Sequence, residues 1–465
     1  MIESILTRIR SLFTFVLAII YLSNLFIQSA WINHLTLVLI VLVIVLSLRV
    51  ATGSSKIIGY ISITLSIIIL LSYNAPFSIW EQAIEENLYL VVMFTLVPLL
   101  RIPIQFGGYF EALQGFFRRF VKTNNRFYVL VSFISAFVGV LVNLAVVPLV
   151  HEISKASSFS ANKKLLSKAI TRGFATCTIW SPTMASIALI IQVTGATWYL
   201  FFPFGILSGV IAGMIGYMMT MAEERRGQAE EVVVNVDLDT VQLSDSVINY
   251  RKVIELCVFG IILITGIALI SVYTGIQTII VVSLASLVFP ILWMFILSRL
   301  RILWRECRGD YFHKSLPGLT NEIILFVGAG LFASSITYSQ LGNYVPLVLS
   351  WFVGENIIMF SIVIIVIGLI VSAIGIHPIV TITIIGGTVE ASAYGVTPTY
   401  MAVLLAITWA MGITMSPSSA TIITVAGLAE RSPLEVGPGW NGRYAVISSA
   451  ILLLIMTIFR FLQLI

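Results

Sequence analysis

The chain is poor in charge. Of its 465 residues, 10% are Asp, Glu, Lys or Arg, whereas 59% are hydrophobic. Soluble globular domains carry about 25% charged residues, so this composition excludes a soluble globular protein. Apolar runs close to the roughly 20 residues that cross a bilayer follow one another along the sequence. The sequence therefore predicts an all-α polytopic membrane protein whose surroundings are the lipid bilayer.

Cysteine is also scarce. The three residues Cys177, Cys257 and Cys307 are scattered and predict neither a disulfide framework nor a zinc site. The net charge of +5 would suggest nucleic acid in a soluble chain, but in a membrane protein it reports orientation. We therefore expect no nucleic-acid partner, no bound cofactor and no enzymatic activity.

The apolar runs predict about eleven membrane-crossing helices. No small-residue cleavage site follows the first run, which is therefore expected to be a permanent helix rather than a signal peptide. Two further apolar stretches, 127–150 and 356–388, are interrupted by glycine, proline and polar residues. The predicted crossings are 11–29, 34–49, 57–73, 87–104, 173–192, 199–220, 253–271, 278–298, 319–336, 397–425 and 444–463.

Lysine and arginine are missing from one side of this arrangement. With the N-terminus in the cytoplasm, the outward connections hold neither residue. The one exception to the pattern is Arg460, which lies within the last helix near its outer end. By the positive-inside rule, this distribution predicts a cytoplasmic-membrane protein with a cytoplasmic N-terminus. The outward connections are 30–33, 74–86, 193–198, 272–277, 337–355 and 389–396.

This topology requires that 127–150 and 356–388 do not cross. Each must enter and leave on one side, the first from the cytoplasm and the second from outside. Such re-entrant hairpins are stable at membrane depth where protein or a watery cavity receives their free backbone groups. The alternative is that both are ordinary helices, which would place several basic clusters outside.

One motif occurs twice, 235 residues apart: Ser181-Pro182-Thr183-Met184-Ala185 recurs as Ser416-Pro417-Ser418-Ser419-Ala420. Gly107-Gly108-Tyr109 recurs at the same spacing as Gly342-Asn343-Tyr344. Two halves with an odd number of crossings each form an inverted repeat, which is typical of secondary transporters. The predicted organisation is an extra helix at 1–30, repeat 1 at 31–221 with a broken helix at 173–192, a cytoplasmic linker at 222–250, and repeat 2 at 251–465 with a broken helix at 397–425.

The middle of every predicted span lacks Asp, Glu, Lys and Arg. A solute must then be held by dipoles, because a helix that restarts after a break points amide groups at an anion, while exposed carbonyl oxygens suit Na⁺. We expect Na⁺, if it binds, near Asn143 and Ser181. The predicted site residues are Gly139, Asn143, Gly375, His377, Pro378 and Thr381 at the hairpins, and Thr178, Ser181, Pro182, Thr183, Thr414, Ser416, Pro417, Ser418 and Ser419 at the helix breaks.

Other interpretations of these residues stay open. Each Ser-Pro motif could be a plain proline kink whose small residues serve helix packing. His377 could be a hydrogen-bonded structural residue, or it could contact substrate or couple protons at the hairpin tip.

The order of hairpin, Ser-Pro helix, hairpin and Ser-Pro helix resembles the ion transporter superfamily over residues 87–220 and 319–465. That group includes divalent anion–sodium symporters, arsenite permeases and the large membrane subunit of tripartite dicarboxylate transporters. The resemblance implies a site at hairpin tips and helix breaks, an elevator-type movement against a scaffold, and a homodimer. The Ser-Asn-Thr signature of the sodium-coupled members is present at neither tip, where Asn143 is the one amide.

The sequence therefore predicts a secondary active transporter of a small organic anion, a carboxylate by expectation, coupled to Na⁺ or H⁺. The alternative is an efflux or antiport system for an inorganic oxyanion, or Na⁺/H⁺ exchange. An antiporter would be expected to have a buried carboxylate, and none is evident in the predicted spans.

Overall fold

In the computed structural model the chain is helical, and the structure describes residues 2–227, 249–354 and 356–465. No strand occurs within these ranges, so the prediction of an all-α polytopic protein is confirmed. The predicted linker 222–250 lies largely outside the described residues.

Twelve α-helices form the first half of the described chain. They are α1 Ile2–Ile27, α2 Ala30–Val50, α3 Gly53–Ser72, α4 Phe77–Glu85, α5 Leu88–Leu96, α6 Arg101–Phe106, α7 Tyr109–Phe120, α8 Asn124–Val142, α9 Val146–Ser154, α10 Lys163–Cys177, α11 Ala185–Thr194 and α12 Trp198–Gly227.

Eleven α-helices form the second half. They are α13 Tyr250–Thr274, α14 Thr278–Ile296, α15 Leu300–Glu306, α16 Leu316–Gly318, α17 Thr320–Tyr338, α18 Tyr344–Val353, α19 Ile357–Ala373, α20 Pro378–Thr388, α21 Pro398–Met415, α22 Ala420–Ala429 and α23 Trp440–Phe461.

The helices follow the spacing of the sequence motifs. Tyr344 begins α18 and Tyr109 begins α7, 235 positions earlier. The same offset separates the first residues of α10 and α21, and the first residues of α11 and α22. From the short helix before each hairpin to the second part of each broken helix, the two halves share one plan.

Hairpin 1 consists of α8, a turn at residues 143–145, and α9. Asn124 at its start and Asn162 after its end both donate to Glu224 Oε2, over 3.0 and 3.4 Å. The rings of Phe127 and Phe159 also lie close together, with centroids 6.3 Å apart. The chain therefore enters and leaves hairpin 1 on the same side, which is the side of the predicted cytoplasmic Lys and Arg clusters.

Hairpin 2 consists of α19, a turn at residues 374–377, and α20. Phe360 near its start stacks on Tyr394 beyond its end, with ring centroids 4.4 Å apart. Ser361 also shares a 2.8 Å hydrogen bond with Tyr400, in the first turn of α21. This hairpin too returns to the side from which it came.

The two broken helices, α10–α11 and α21–α22, run in opposite directions. Lys163 at the start of α10 pairs with Glu430 at the end of α22, over 2.7 Å. At the other end, Val193 of α11 packs so closely on Gly386 of α20 that a Cβ on that glycine would overlap its side chain. The start of one broken helix thus lies beside the end of the other, and the two hairpins enter from opposite faces.

Length and composition give eleven candidate spans among the described residues, the predicted number with one different member. Residues 124–154 qualify as one span by these criteria, although their contacts show a hairpin. The broken helix predicted at 173–192 does not qualify, because α10 has 15 residues and α11 has ten, and the break between them leaves each too short to cross. Its contacts at Lys163 and Val193 nevertheless place its two ends at opposite faces.

Two connections that the sequence predicted to lie outside the membrane contain helices. Residues 74–86 include α4, which buries Ala83 against α17. Residues 337–355 include α18, an apolar helix whose Trp351 and Phe352 are exposed. Each is short and lies beside a long span, so hydropathy alone did not resolve it.

Buried charge is the main correction to the sequence analysis. Arg172 lies inside α10 and is 1% exposed. Its guanidinium donates to Asn441 Oδ1, to Thr220 Oγ1 and to the carbonyl oxygens of Gly216 and Trp440, at 2.7–3.3 Å. Arg10 in α1 and Lys168 in α10 are also buried. Arg172 is tolerated because polar groups from distant helices satisfy its donors, and Lys168 pairs with Glu223. Arg10 donates from one nitrogen to the carbonyl oxygens of Leu316 and Pro317, while its Nε and Nη1 have no partner within the described chain.

Candidate functional site

The tip of hairpin 1 is built around Asn143. This residue ends α8 with φ +53° and ψ −141°, a positive-φ conformation outside the left-handed helical region that few residues other than glycine adopt. Its Oδ1 accepts the backbone N–H of Leu144 at 2.7 Å, so the side chain covers the first amide of the returning segment. Gly139 lies one turn earlier and packs on α10, where a Cβ would meet Cys177 Sγ at 3.0 Å.

The first helix break spans residues 178–184. Ser181 Oγ and Thr183 Oγ1 are 2.9 Å apart, and Thr183 donates to the carbonyl oxygen of Val140 near the hairpin 1 tip, at 2.5 Å. Thr178 Oγ1 donates back to Ala175 O within the last turn of α10. Helix α11 then starts at Met184, which offers its first amides no side-chain acceptor.

The tip of hairpin 2 is built around His377 and Pro378. His377 precedes α20, and its Nδ1 accepts the N–H of Ile379 at 3.2 Å. A neutral imidazole whose Nδ1 is an acceptor carries its proton on Nε2, which is then a donor. Gly375 has φ +93°, and Pro378 occupies the first position of α20, where its missing N–H costs nothing.

The second helix break spans residues 416–419. Ser416 Oγ and Ser418 Oγ are 3.1 Å apart, which repeats the hydroxyl pair of the first break. Here, however, Ser419 caps the next helix: its Oγ accepts the N–H of Ile422 at 3.3 Å and donates to Ile413 O at 2.8 Å. Thr414 donates to Met411 O.

The hairpin tips and helix breaks meet at one cavity of about 450 Å³, here called the basic-side cavity. Asn143, Thr178, His377 and Ser419, one residue from each of the four elements, line one wall. The opposite wall comes from α5, the turn that follows it, and α16–α17. The lining residues are Met93, Phe94, Val97, Pro98, Arg101, Val142, Asn143, Leu144, Ala145, Pro148, Phe174, Thr178, Met184, Ala185, Ser186, Lys314, Ser315, Gly318, Leu319, Glu322, Phe326, His377, Trp409, Ile413, Ser419, Ala420, Thr421 and Thr424.

The remaining predicted residues do not line this cavity. Most of them fix the shape of the breaks rather than line the cavity, as Thr183 does through Val140. Pro417 lies beside the hairpin 2 tip, 3.9 Å from where a Cβ of Gly375 would be. The predicted residues outside the lining set are Gly139, Ser181, Pro182, Thr183, Gly375, Pro378, Thr381, Thr414, Ser416, Pro417 and Ser418.

Sequence reasoning missed the ionisable residues of the opposite wall. Arg101, Lys314 and Glu322 all line the basic-side cavity. Glu322 Oε2 is buried and has no hydrogen-bond partner within the described chain, and the carboxylate interacts electrostatically with Arg10. The sequence-based expectation that dipoles mainly hold a solute did not include these three charged side chains. Little in the sequence indicated these three residues, since each lies at a helix end.

An aromatic layer closes the far end of the cavity. Phe326 packs on Phe94 with ring centroids 4.8 Å apart, and on Trp409 at 6.3 Å. Trp409 in turn makes an edge contact with His377 at 5.4 Å. Arg101 and Lys314 line the same cavity and belong to the predicted cytoplasmic Lys and Arg clusters, so the cavity borders the basic side of the protein.

Oxygen ligands for a cation are present near the first break. Ser181, Thr183 and Val140 O cluster there, close to the predicted Na⁺ position between Asn143 and Ser181. These atoms now bond to one another. No group of three or more His, Cys, Asp or Glu side chains in the described ranges could hold a metal ion.

Helix α7 links hairpin 1 to the rest of the protein. Tyr109 Oη donates to Glu255 Oε1 at 2.6 Å and accepts from Trp293 Nε1 at 2.9 Å. Burial, followed by the bond to Glu255, raises the pKa of Tyr109, so its hydroxyl stays protonated. The matching Tyr344 of α18 is 64% exposed.

No family model and no curated protein sequence matches the chain. Among solved structures, it is similar to the YdaH transporter of Alcanivorax borkumensis, whose crystal structure was described as having an unusual topology. The superposition covers 88% of this chain and 98% of that one, with a TM-score of 0.59 and 14% sequence identity. The chain thus has the fold of a membrane transporter.

Proposed function

We propose that the protein is a secondary active transporter of a small organic anion, with a carboxylate as the expected class and Na⁺ or H⁺ as the coupling ion. One observation carries this proposal: two oppositely directed hairpins and two broken helices deliver Asn143, Thr178, His377 and Ser419 to one cavity. Inverted repeats with discontinuous helices at a central site are the usual plan of secondary transporters.

Three groups favour an anion in this cavity. Met184 leaves the first amides of α11 uncapped, and Ala185 and Ser186 at this helix start line the cavity. The amides at a helix start carry partial positive charge and attract anions. Arg101 and Lys314 add cations to the cavity lining, and Lys314 is paired with Asp310 at 2.9 Å. A carboxylate could thus enter past cations and bind at α11.

The architecture favours membership of the ion transporter superfamily, with a moving body formed by the hairpins and broken helices. We also propose a cytoplasmic N-terminus, insertion in the cytoplasmic membrane and a homodimer. These proposals rest on the lysine and arginine distribution and on the resemblance of the motif order.

Glu322 favours a second candidate, an efflux or antiport system driven by H⁺ or Na⁺. A buried carboxylate that lines a transport cavity is the usual carrier of an exchanged proton or cation. Glu322 lines the same cavity as the anion-favouring groups, and its buried Oε2 has no hydrogen-bond partner in the described chain. An inorganic oxyanion or Na⁺/H⁺ exchange would fit this version of the site.

Transport by purified protein in proteoliposomes tests both candidates. We expect uptake of at least one member of a carboxylate panel to depend on an inward Na⁺ or H⁺ gradient. Efflux of an inorganic oxyanion, or Na⁺/H⁺ exchange, without gradient-driven carboxylate uptake would favour the antiport version. Silence across the panel with either gradient would contradict the substrate class.

Single substitutions locate the site. Ser181→Ala and Ser416→Ala each remove one member of a hydroxyl pair at a helix break, and we expect both to weaken substrate-dependent thermal stabilisation. Ser283→Ala is the matched control, since Ser283 is a buried serine of α14 that bonds to Ile279 O within its own helix. Equal ligand responses in all three variants would place the site elsewhere.

A further inference from the structure

A second cavity, here called the acidic-side cavity, lies on the other side of the aromatic layer. It has a volume of about 460 Å³ and is bounded by α4 and α17 on one wall and by α11 and α20 on the other. Asn87 lines it and donates to the carbonyl oxygen of Phe326, which lines the basic-side cavity. The walls of the two cavities are therefore in direct contact at Asn87 and Phe326.

The charge of this cavity is opposite to that of the basic-side cavity. Glu86 is its one acidic lining residue, and no described Lys, Arg or His lines it. Ser334 Oγ donates to Glu86 Oε2 at 3.2 Å, which holds the carboxylate in place and leaves further lone pairs for a ligand. Glu81 and Glu85 lie on the neighbouring surface and make the approach more negative. A cation is thus favoured here.

A buried hydroxyl points to a ligand rather than to a plain solvent channel. Thr383 of α20 is 3% exposed and lines the cavity, and its Oγ1 has no hydrogen-bond partner within the described chain. A buried polar group without a partner is costly, so a molecule that supplies the missing bond would be stabilised there. Gln82, Gln192 and Thr337 add further polar groups around the same space.

The volume decides between an inorganic ion and an organic cation. A bare Na⁺ or Ca²⁺ needs several oxygen atoms that converge to within about 2.6 Å of its centre. A space of this size instead matches the cavities of roughly 300–1,000 Å³ that hold small organic molecules. Apolar contacts from Ile79, Leu189 and Val193 would suit a short carbon chain.

We propose that the acidic-side cavity is a binding site for a small organic cation with an ammonium group. The ammonium donates to Glu86, the hydroxyl of Thr383 bonds to a polar group of the ligand or to its ammonium, and the carbon chain lies along Val193 and Leu189. The site joins the wall formed by α4 and α17 to the wall formed by α11 and α20. An occupied site therefore holds these two walls together.

The test uses a series of matched probes with the full-length protein in detergent. n-Butylammonium, n-butanol and butyrate have the same carbon chain and differ in charge. Thermal stabilisation and isothermal titration calorimetry should detect saturable binding of n-butylammonium that n-butanol and sodium chloride do not reproduce. Binding of the alcohol with equal affinity, or stabilisation by Na⁺ alone, would overturn the proposal.

Neighbouring glutamates supply the matched control. Glu86→Gln should weaken n-butylammonium binding about tenfold, as expected for loss of a charge-assisted hydrogen bond. Glu85→Gln should change it less than about twofold, because Glu85 lies next in the chain but outside the cavity lining. Equal affinity of the two variants would contradict the assignment.

Two more variants keep the test decisive if Glu86→Gln does not fold. Thr383→Val preserves shape and should weaken binding about threefold to fivefold, since one hydrogen bond is lost. Ser181→Ala, at the first helix break and outside the lining of the acidic-side cavity, should leave n-butylammonium binding unchanged. All of these experiments measure n-butylammonium binding and none measures anion transport. A failure of the proposed anion transport therefore leaves these results unchanged, and a failure of this site leaves the transport results unchanged. Unchanged affinity in Thr383→Val would remove that residue from the site, and with it the proposal.

Discussion

The two helix breaks are alike in their hydroxyl pairs and different in their caps. Ser181 with Thr183 and Ser416 with Ser418 form the same contact, at 2.9 and 3.1 Å. Ser419 then caps the helix that follows the second break, whereas Met184 leaves the helix after the first break uncapped. The two halves share the same fold at the breaks, but only α11, after the first break, starts without a side-chain cap.

The hairpin tips differ in the same sense. Asn143 covers one amide of its own returning segment, while His377 caps α20 through Nδ1 and keeps Nε2 for the cavity. A symmetric site would bind a ligand equally well in two orientations. The unequal tips and breaks of this chain offer donors of different kinds on two sides, which fixes the orientation of an asymmetric ligand.

The largest expected effect on stability concerns Arg172, a buried cation of the first half that has no counterpart in the second half. The position that matches Arg172 is Ile407, which is also buried. Arg172→Met should lower the free energy of unfolding by roughly 3 kcal/mol or more, because Asn441, Thr220 and two carbonyl oxygens lose their buried donor. Thermal denaturation in detergent measures this. The exposed Arg126, changed to Met, is the control and should shift stability by less than about 0.5 kcal/mol.

The helices before the hairpins provide the second test. Tyr109→Phe removes the bonds to Glu255 and from Trp293 and should cost about 2 kcal/mol, since Trp293 Nε1 is left without an acceptor. Tyr344→Phe makes the same chemical change at the matching, exposed position and should be nearly neutral. Equal melting shifts for the two variants would show that the tether of α7 contributes nothing to stability.

Two substitutions separate the roles of the two ring nitrogens of His377. His377→Asn offers an oxygen near the place of Nδ1, so it should keep the cap on α20 but weaken substrate binding about tenfold, because the Nε2 donor is lost. His377→Gln should do the reverse: it should bind substrate better than His377→Asn does, but its helix start should be less stable by about 1 kcal/mol. Ligand titrations and melting curves together separate these effects, and identical behaviour of both variants would exclude distinct roles for the nitrogens.

The smallest expected effect on stability comes from adding a helix cap after the first break and removing the cap after the second. Met184→Ser gives α11 an acceptor, so the unliganded protein should gain about 1 kcal/mol while anion binding weakens. Ser419→Ala removes the cap of α22 and should cost about 1 kcal/mol. Opposite signs of the melting shift are the expected result. A tighter anion complex in Met184→Ser would contradict the role of the free α11 amides.

The repeat made much of the fold predictable. The offset of the Ser-Pro motifs also separates the starts of α10 and α21 and of α11 and α22, because the same turn chemistry recurs in each half. Hydropathy placed the first broken helix at 173, ten residues after α10 begins. Lys168 and Arg172 made that first part look like a loop.

The candidate site was only partly predictable. Asn143, Thr178, His377 and Ser419 were expected at a solute site and line the basic-side cavity. Glu322 and Lys314 were not expected there, since a charged residue at a helix end is usually an interfacial anchor. Their place in the cavity wall depends on how α16 and α17 face the hairpins, a relation between segments that are distant in sequence.

By itself, the sequence determined the membrane environment, the helical class and the presence of two related halves. These follow from composition and from local patterns of apolar, glycine and proline residues. The tertiary structure decided which charges are buried, which helix starts stay uncapped and which residues share a cavity. Each of these depends on partners from distant segments, such as Asn441 for Arg172 and Val140 for Thr183.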